Sequence, residues 1–236
     1  MIVKKIIFLI SVALTTLVHA QVGNAYYKKQ LASSTDSINN KYMKEALKSL
    51  KNRQYKLAFN KTEAIYDEVK SLDINENQVV EAFVKGISEY SGEIYFNSLK
   101  KSVINKKELS GSIFLIEKDE INWVLSKDTL KIDSYICYKA TTTRIITNSK
   151  GTYNLEVTAW YAPEISLPYG PDGYGGLPGL ILQLNNNGTI TSLKKIEFLS
   201  EDENIDINFS AKGKKVTEDE FNLIVSKLYA NRKSKY

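Results

Sequence analysis

The chain has 236 residues, a length that suits one domain, or two small ones, with room for a sizeable core. Its 32 Lys and Arg against 27 Asp and Glu leave a net charge of +5, too balanced to point to nucleic acid. His19 is the one histidine and Cys137 the one cysteine, so no internal disulfide can form.

The first residues read as an export signal. Lys4 and Lys5 precede the short apolar run from Ile6 to Val18, and Val18-His19-Ala20 offers a small-residue cleavage site before Gln21. The run is shorter than the roughly 20 residues a membrane-crossing helix needs. The expectation is a mature protein that starts at Gln21, is not integral to the membrane, and resides in the periplasm, at the outer membrane or outside the cell. Cleavage would lower the net charge by two through loss of Lys4 and Lys5. It would also remove His19, and with it every Ser-His-Asp or Cys-His mechanism and every histidine metal site.

Residues 21–35 are small and polar and predict a poorly ordered start, followed by one β-rich domain over 36–236. From Asp36 the spacing Ile38, Tyr42, Ala46, Leu50, flanked by Met43 and Leu47, predicts a helix capped by Thr35 or Asp36. Alternation of Tyr55, Leu57 and Phe59 before the polar Asn60-Lys61 predicts two short antiparallel strands. A short helix around Val79–Ile87 interrupts an otherwise loop-like stretch.

The middle of the chain is a run of strands. Two lie in "GEIYFNSLKKSVI" and "GSIFLIE", and Ile121, Trp123 and Leu125 share one side of "INWVL". In "TLKIDSYICYKATTTRI", Leu130, Ile132, Ile136, Tyr138 and Ala140 fall on one face and Lys131, Asp133, Tyr135, Cys137 and Lys139 on the other. "YNLEVTAWY" sets Tyr153, Leu155, Val157, Ala159 and Tyr161 against Glu156, Thr158 and Trp160, with Asn148–Gly151 as the intervening turn. One-sided alternation marks antiparallel sheet with a single buried face. Cys137 is then either a reactive thiol or a small buried hydrophobe, and the lack of a histidine partner favours the second.

"GPDGYGGLPGLILQL", residues 170–184, carries five of the twelve glycines and two of the four prolines. It lacks the GxGxxG spacing, has no following GKS or GKT, and leads into a strand rather than a helix, which argues against a phosphate loop. Pro171-Asp172-Gly173 predicts a tight turn, Gly175-Gly176 positive φ, and Gly179 a close backbone approach at the start of a strand. Asn187-Gly188 then predicts a two-residue hairpin pairing Asn186 with Thr189, Leu184 with Thr191 and Leu182 with Leu193. Thr217 and Glu220 form a capping box for a C-terminal helix over about 217–232, with Phe221, Ile224 and Leu228 as its apolar stripe. The fold class expected is α+β, predominantly antiparallel β: a curved sheet or open barrel with helices toward both ends.

The segment Gly176-Leu177-Pro178-Gly179-Leu180-Ile181 spells the signature of the GLPGLI family, exported Bacteroidota proteins without an assigned activity, and the chain resembles that family over about residues 54–198. "INWVL", "KIDSYICYKA", "AWYAPEI" and "YKLAFNKTEAIYDE" extend the likeness, with Ser134 and Ser166 as departures from the usual Gly and Pro. The resemblance implies an export signal and a β-rich envelope protein.

Candidate site residues cluster near the glycine loop. Trp160, Tyr161, Tyr169, Asp172 and Tyr174 form a candidate binding rim for a peptide, glycan, lipid or envelope protein. The alternative is a hydrolase or transferase using Glu164 and Asp172 as an acid–base pair. The acidic run Glu201, Asp202, Glu203, Asp206 lacks calcium-loop spacing and reads as a solvated turn. No metal or other cofactor is expected.

Overall fold

The computed structural model describes residues 22–32, 38–70, 77–148, 151–200 and 205–233. The expected signal segment, the expected caps Thr35 and Asp36, and the acidic residues Glu201–Glu203 lie outside the described residues. No described helix is long and apolar enough to cross a membrane.

Among the described residues twelve strands make one open sheet. In chain order they are β1 (Gly23–Leu31), β2 (Tyr55–Phe59), β3 (Glu63–Glu68), β4 (Glu93–Asn97), β5 (Ser102–Leu109), β6 (Ser112–Lys118), β7 (Val124–Ile132), β8 (Tyr135–Asn148), β9 (Gly151–Ala162), β10 (Leu180–Asn186), β11 (Thr189–Phe198) and β12 (Lys214–Thr217). The helices are α1 (Lys41–Asn52), α2 (Gln78–Ser88) and α3 (Glu218–Lys233). The spatial order is β12-β6-β5-β4-β3-β2-β1-β11-β10-β9-β8-β7, antiparallel except where β12 joins β6 in parallel. Strand β1 thus stands in the interior of the sheet, and β7 and β12 form its edges.

The largest difference from the sequence reading is β1, which occupies the segment expected to be a poorly ordered start. Its Ala25, Tyr27 and Lys29 are buried on one face, although Lys28, Lys29 and Gln30 make the segment look solvated. The strand is recruited by its neighbours: it pairs with β2 on one side and with β11 on the other. Ladder formation and burial by partners override a weak local pattern.

Most other elements follow their local signals, but the first helix starts at Lys41 rather than Asp36 and leaves Ile38 outside it. Helix α1 is capped by Asn40, whose side chain accepts from the Met43 amide, and it buries Ala46, Leu47 and Leu50. Ala46 and Leu50 meet Val80 and Val84 of α2, so the two helices share a small core. Arg53 ties them to the sheet, donating to Glu68 of β3 at 2.9 Å and to Glu81 of α2. The hairpin turn is as expected: Asn187 and Gly188 both hold positive φ, and Asn186 pairs with Thr189 and Leu184 with Thr191. Thr217 and Glu220 exchange the two hydrogen bonds of a capping box at the start of α3.

Two strand readings change. Ile121 and Trp123 precede β7 rather than belonging to it, while Leu125 is exposed. The alternation read as continuous from Leu130 to Ala140 is broken by a turn at Asp133-Ser134, where Asp133 takes φ 54°. The predicted apolar face is accordingly buried only in part, at Ala140 and, partly, at Ile132. Ile136 and Tyr138 are exposed, whereas Cys137 packs in the main core with Ile132 and Tyr135 against it.

Candidate functional site

The stretch from Ala162 to Leu180 leaves β9, crosses the main core and returns as β10. It is held by its own backbone. The Ile165 amide donates to Ala162 O, Gly176 to Pro168 O at 2.9 Å, Leu180 to Ile165 O and Ile181 to Tyr169 O, each at about the length of a strand hydrogen bond. Pro171–Gly173 forms one 3-10 turn in which Asp172 has φ 59° and Gly173 φ 85°. Gly176 supplies the expected positive φ, at 83°. At Gly179, with φ 156°, a Cβ would stand 2.3 Å from Ala162 O. This is the close approach that the motif requires.

The loop is also gripped from beneath by side chains. Lys29 Nζ of β1 donates to Asp172 Oδ1 at 2.5 Å and to Ser88 O, at the end of α2, at 2.6 Å. Thr191 Oγ1 of β11 donates to Asp172 Oδ2 at 3.0 Å. The Lys29 ammonium lies 4.6 Å from the Tyr55 ring centre and 5.9 Å from that of Tyr90. Burial pushes the Lys29 ammonium toward its neutral form, and the Asp172 carboxylate beside it opposes that shift. Trp123 Nε1 donates to Gly175 O at 2.9 Å, and its ring packs on Tyr174. The Tyr174 hydroxyl is pushed up by burial, and the nearby Arg144 guanidinium works against it.

The predicted rim is therefore mostly interior. Tyr161, Tyr169, Asp172 and Tyr174 are all buried, and Trp160 is half-buried against the main core. Asp172 is held by Lys29 and Thr191, and Tyr174 packs on Trp123. The reason for Asp172 lies in the missed strand: its partner Lys29 belongs to β1. Glu164, by contrast, is exposed, and its charge acts on Tyr135 and Cys137 rather than on the Asp172 cluster. The two carboxylates proposed as an acid–base pair thus have different surroundings. Cys137 is a free, buried thiol, pushed up to about 11 by burial. Among the described residues no group of three His, Cys, Asp or Glu is placed to hold a metal.

What the loop does build is one wall of a cavity of about 300 Å³. Pro168, Tyr169, Gly173, Gly175 and Gly176 face it from the loop. Opposite stand the β4–β5 turn, with Ser98 and Lys101, and Lys118 at the end of β6 with Asp119–Ile121 after it. Phe96 and Val103 add apolar surface, and the Phe96 ring packs on Tyr169 with centres 5.7 Å apart. Burial pushes the Tyr169 hydroxyl up to about 12, and the nearby Ser98 side chain works against that shift. The stem of Lys118 lies over Gly173, so a side chain at that position would meet it. Of the predicted rim residues only Tyr169 lines this cavity. Ser98, Lys101 and Lys118 were missed because nothing local marks them: they converge only through the sheet order.

A family model described as "Protein of unknown function (Porph_ging)" matches residues 147–183, a stretch that takes in β9, the glycine loop and the start of β10. No curated protein matches the chain. Among solved structures, PNGF-II is similar in two crystal forms, C2 and P21, each with a TM-score of 0.55. Sequence identity is 15% and 14%, over 88% of this chain and 33% or 34% of PNGF-II. The chain thus spans about a third of the length of those structures, and at that identity the likeness is one of fold alone.

Proposed function

We propose that the chain is an exported, non-enzymatic binding module of the bacterial envelope, of the GLPGLI type, and that it binds in the cavity walled by the glycine loop. The observation that carries this reading is the cavity, about 300 Å³ and walled by a loop that is hydrogen-bonded throughout and clamped from below. That volume is at the small end of ligand pockets, and its mixture of apolar surface with lysines, hydroxyls and carboxylates suits orientation of one small polar ligand or one residue of a partner. The family match, to proteins of unknown function, leaves room for such a role. The carboxylate-enzyme alternative is disfavoured by Asp172, which is buried and engaged by Lys29 and Thr191.

A thermal-shift screen of sugars, amino acids, short peptides and fatty acids tests the proposal, run on wild type and on the cavity-filling Ser102→Trp, at a residue of β5 that lines the cavity. Ligands that raise Tm in wild type and not in a folded Ser102→Trp support it. Ligands that stabilise both proteins equally place binding elsewhere, and chemical turnover of a ligand contradicts the non-enzymatic reading.

A further inference from the structure

Buried ion pairs are weak stabilisers, because desolvation of both charges offsets their attraction, so Lys29–Asp172 calls for another explanation. Its geometry is specific. The side chains are 0% and 3% exposed, their N and O atoms are 2.5 Å apart, and the residues lie 143 positions apart in sequence. Tyr55 and Tyr90 flank the ammonium with their rings, and among the described residues Asp172 is the acid it contacts. Each of the other two polar contacts falls where an amide would need it. Ser88 O accepts from Nζ at 2.6 Å, and Thr191 Oγ1 donates to the carboxylate oxygen that does not face the lysine.

We propose that Lys29 and Asp172 condense to an intramolecular isopeptide bond that staples the glycine loop to strand β1. Proton transfer across the contact turns ammonium and carboxylate into amine and carboxylic acid. Burial in a low-dielectric site favours that neutral pair. The amine lone pair attacks Cγ, forming the C–N bond. The Cγ–Oδ1 bond breaks, a proton from the nitrogen joins the departing hydroxyl, and one water leaves. Oδ2 remains as the amide oxygen, still accepting from Thr191, and the remaining N–H still donates to Ser88 O. No oxidant, reductant or cofactor is required. Proximity supplies the driving geometry, since the reacting groups are already in contact and shielded from solvent. The product replaces two buried charges by one hydrogen-bonded neutral amide, which removes the desolvation cost of the pair.

Peptide mapping of the purified, folded chain by tandem mass spectrometry tests this directly. The expected result is a branched peptide joining the Lys29 and Asp172 segments, one water lighter than their sum, absent from Lys29→Arg. Arginine keeps the cation without an amine that can condense in this way. Recovery of only linear peptides carrying unmodified Lys29 and Asp172 from wild type overturns the proposal, as does a branched peptide joined at any other pair.

Discussion

Strands β1 and β7 are each nine residues long, and their compositions give the wrong impression of both. The first, "GNAYYKKQL", looks solvated yet lies inside the sheet, alternating buried and half-buried residues along most of its length. The second, "VLSKDTLKI", is richer in the branched and apolar residues that strands favour, yet it is an edge on which Val124, Leu125 and Leu130 are exposed. The difference lies in neighbours. Strand β1 has a ladder on both sides and the glycine loop beneath; β7 pairs with β8 alone. Burial is set by position in the sheet, and a lysine in one strand becomes core while a leucine in the other meets water.

The sharpest way to break this comparison is to remove one partner of the buried pair. Asp172→Ala would leave the Lys29 charge without its counterion inside the core, an effect of about 3–5 kcal/mol. Lys131→Ala in β7, where the side chain is exposed, should change stability by less than about 0.5 kcal/mol. Chemical denaturation of the two variants measures both, and comparable losses would contradict the assignment of β1 to the interior.

A second contrast lies within the loop. Gly179→Val places a Cβ against the Ala162 carbonyl and should cost about 1–3 kcal/mol or more from strain and overpacking. Gly176 has φ 83° but open space around its Cβ position, so Gly176→Ala should cost only about 1 kcal/mol, for its backbone conformation alone. Equal costs would mean that the packing against Ala162 does not hold in solution.

Cys137 compares the two regions from the side of β8. Its thiol is pushed from 9.0 to about 11 by burial, so the folded chain keeps a proton that the unfolded chain gives up between those values. Stability contributed by the neutral thiol is therefore complete below pH 9 and lost as pH rises toward 11. Denaturation midpoints between pH 8 and pH 11 should fall less steeply in Cys137→Ala than in wild type, and identical slopes would place the thiol in water. The smallest effect is at the edge: Leu125→Ser should stay within about 0.5 kcal/mol of wild type.

Local signals made the β-rich class, the Asn187-Gly188 hairpin, the α3 capping box and the strand-forming role of the glycine segment legible. Each depends on residues within a few positions of one another. Strand β1 was not legible, because its burial is conferred by β2, β11 and a loop that follows far along the chain. The burial of Asp172 was illegible for the same reason, since its partner Lys29 lies on that strand, whereas Tyr161 and Tyr174 are buried in a separate cluster with Leu177 and Ile181. The cavity was half legible: the loop was singled out, whereas Ser98, Lys101 and Lys118 carry no pattern that would bring them to it.

The central claim is that the glycine loop is a fixed wall rather than a mobile recognition arm. Native-state hydrogen exchange at the Gly176, Leu180 and Ile181 amides, which donate to Pro168, Ile165 and Tyr169, tests it most directly. The account predicts opening free energies equal to those of the β1–β11 ladder, because the loop opens only when the core does. Exchange of these amides in the range of exposed turns, with the ladder still protected, would contradict it.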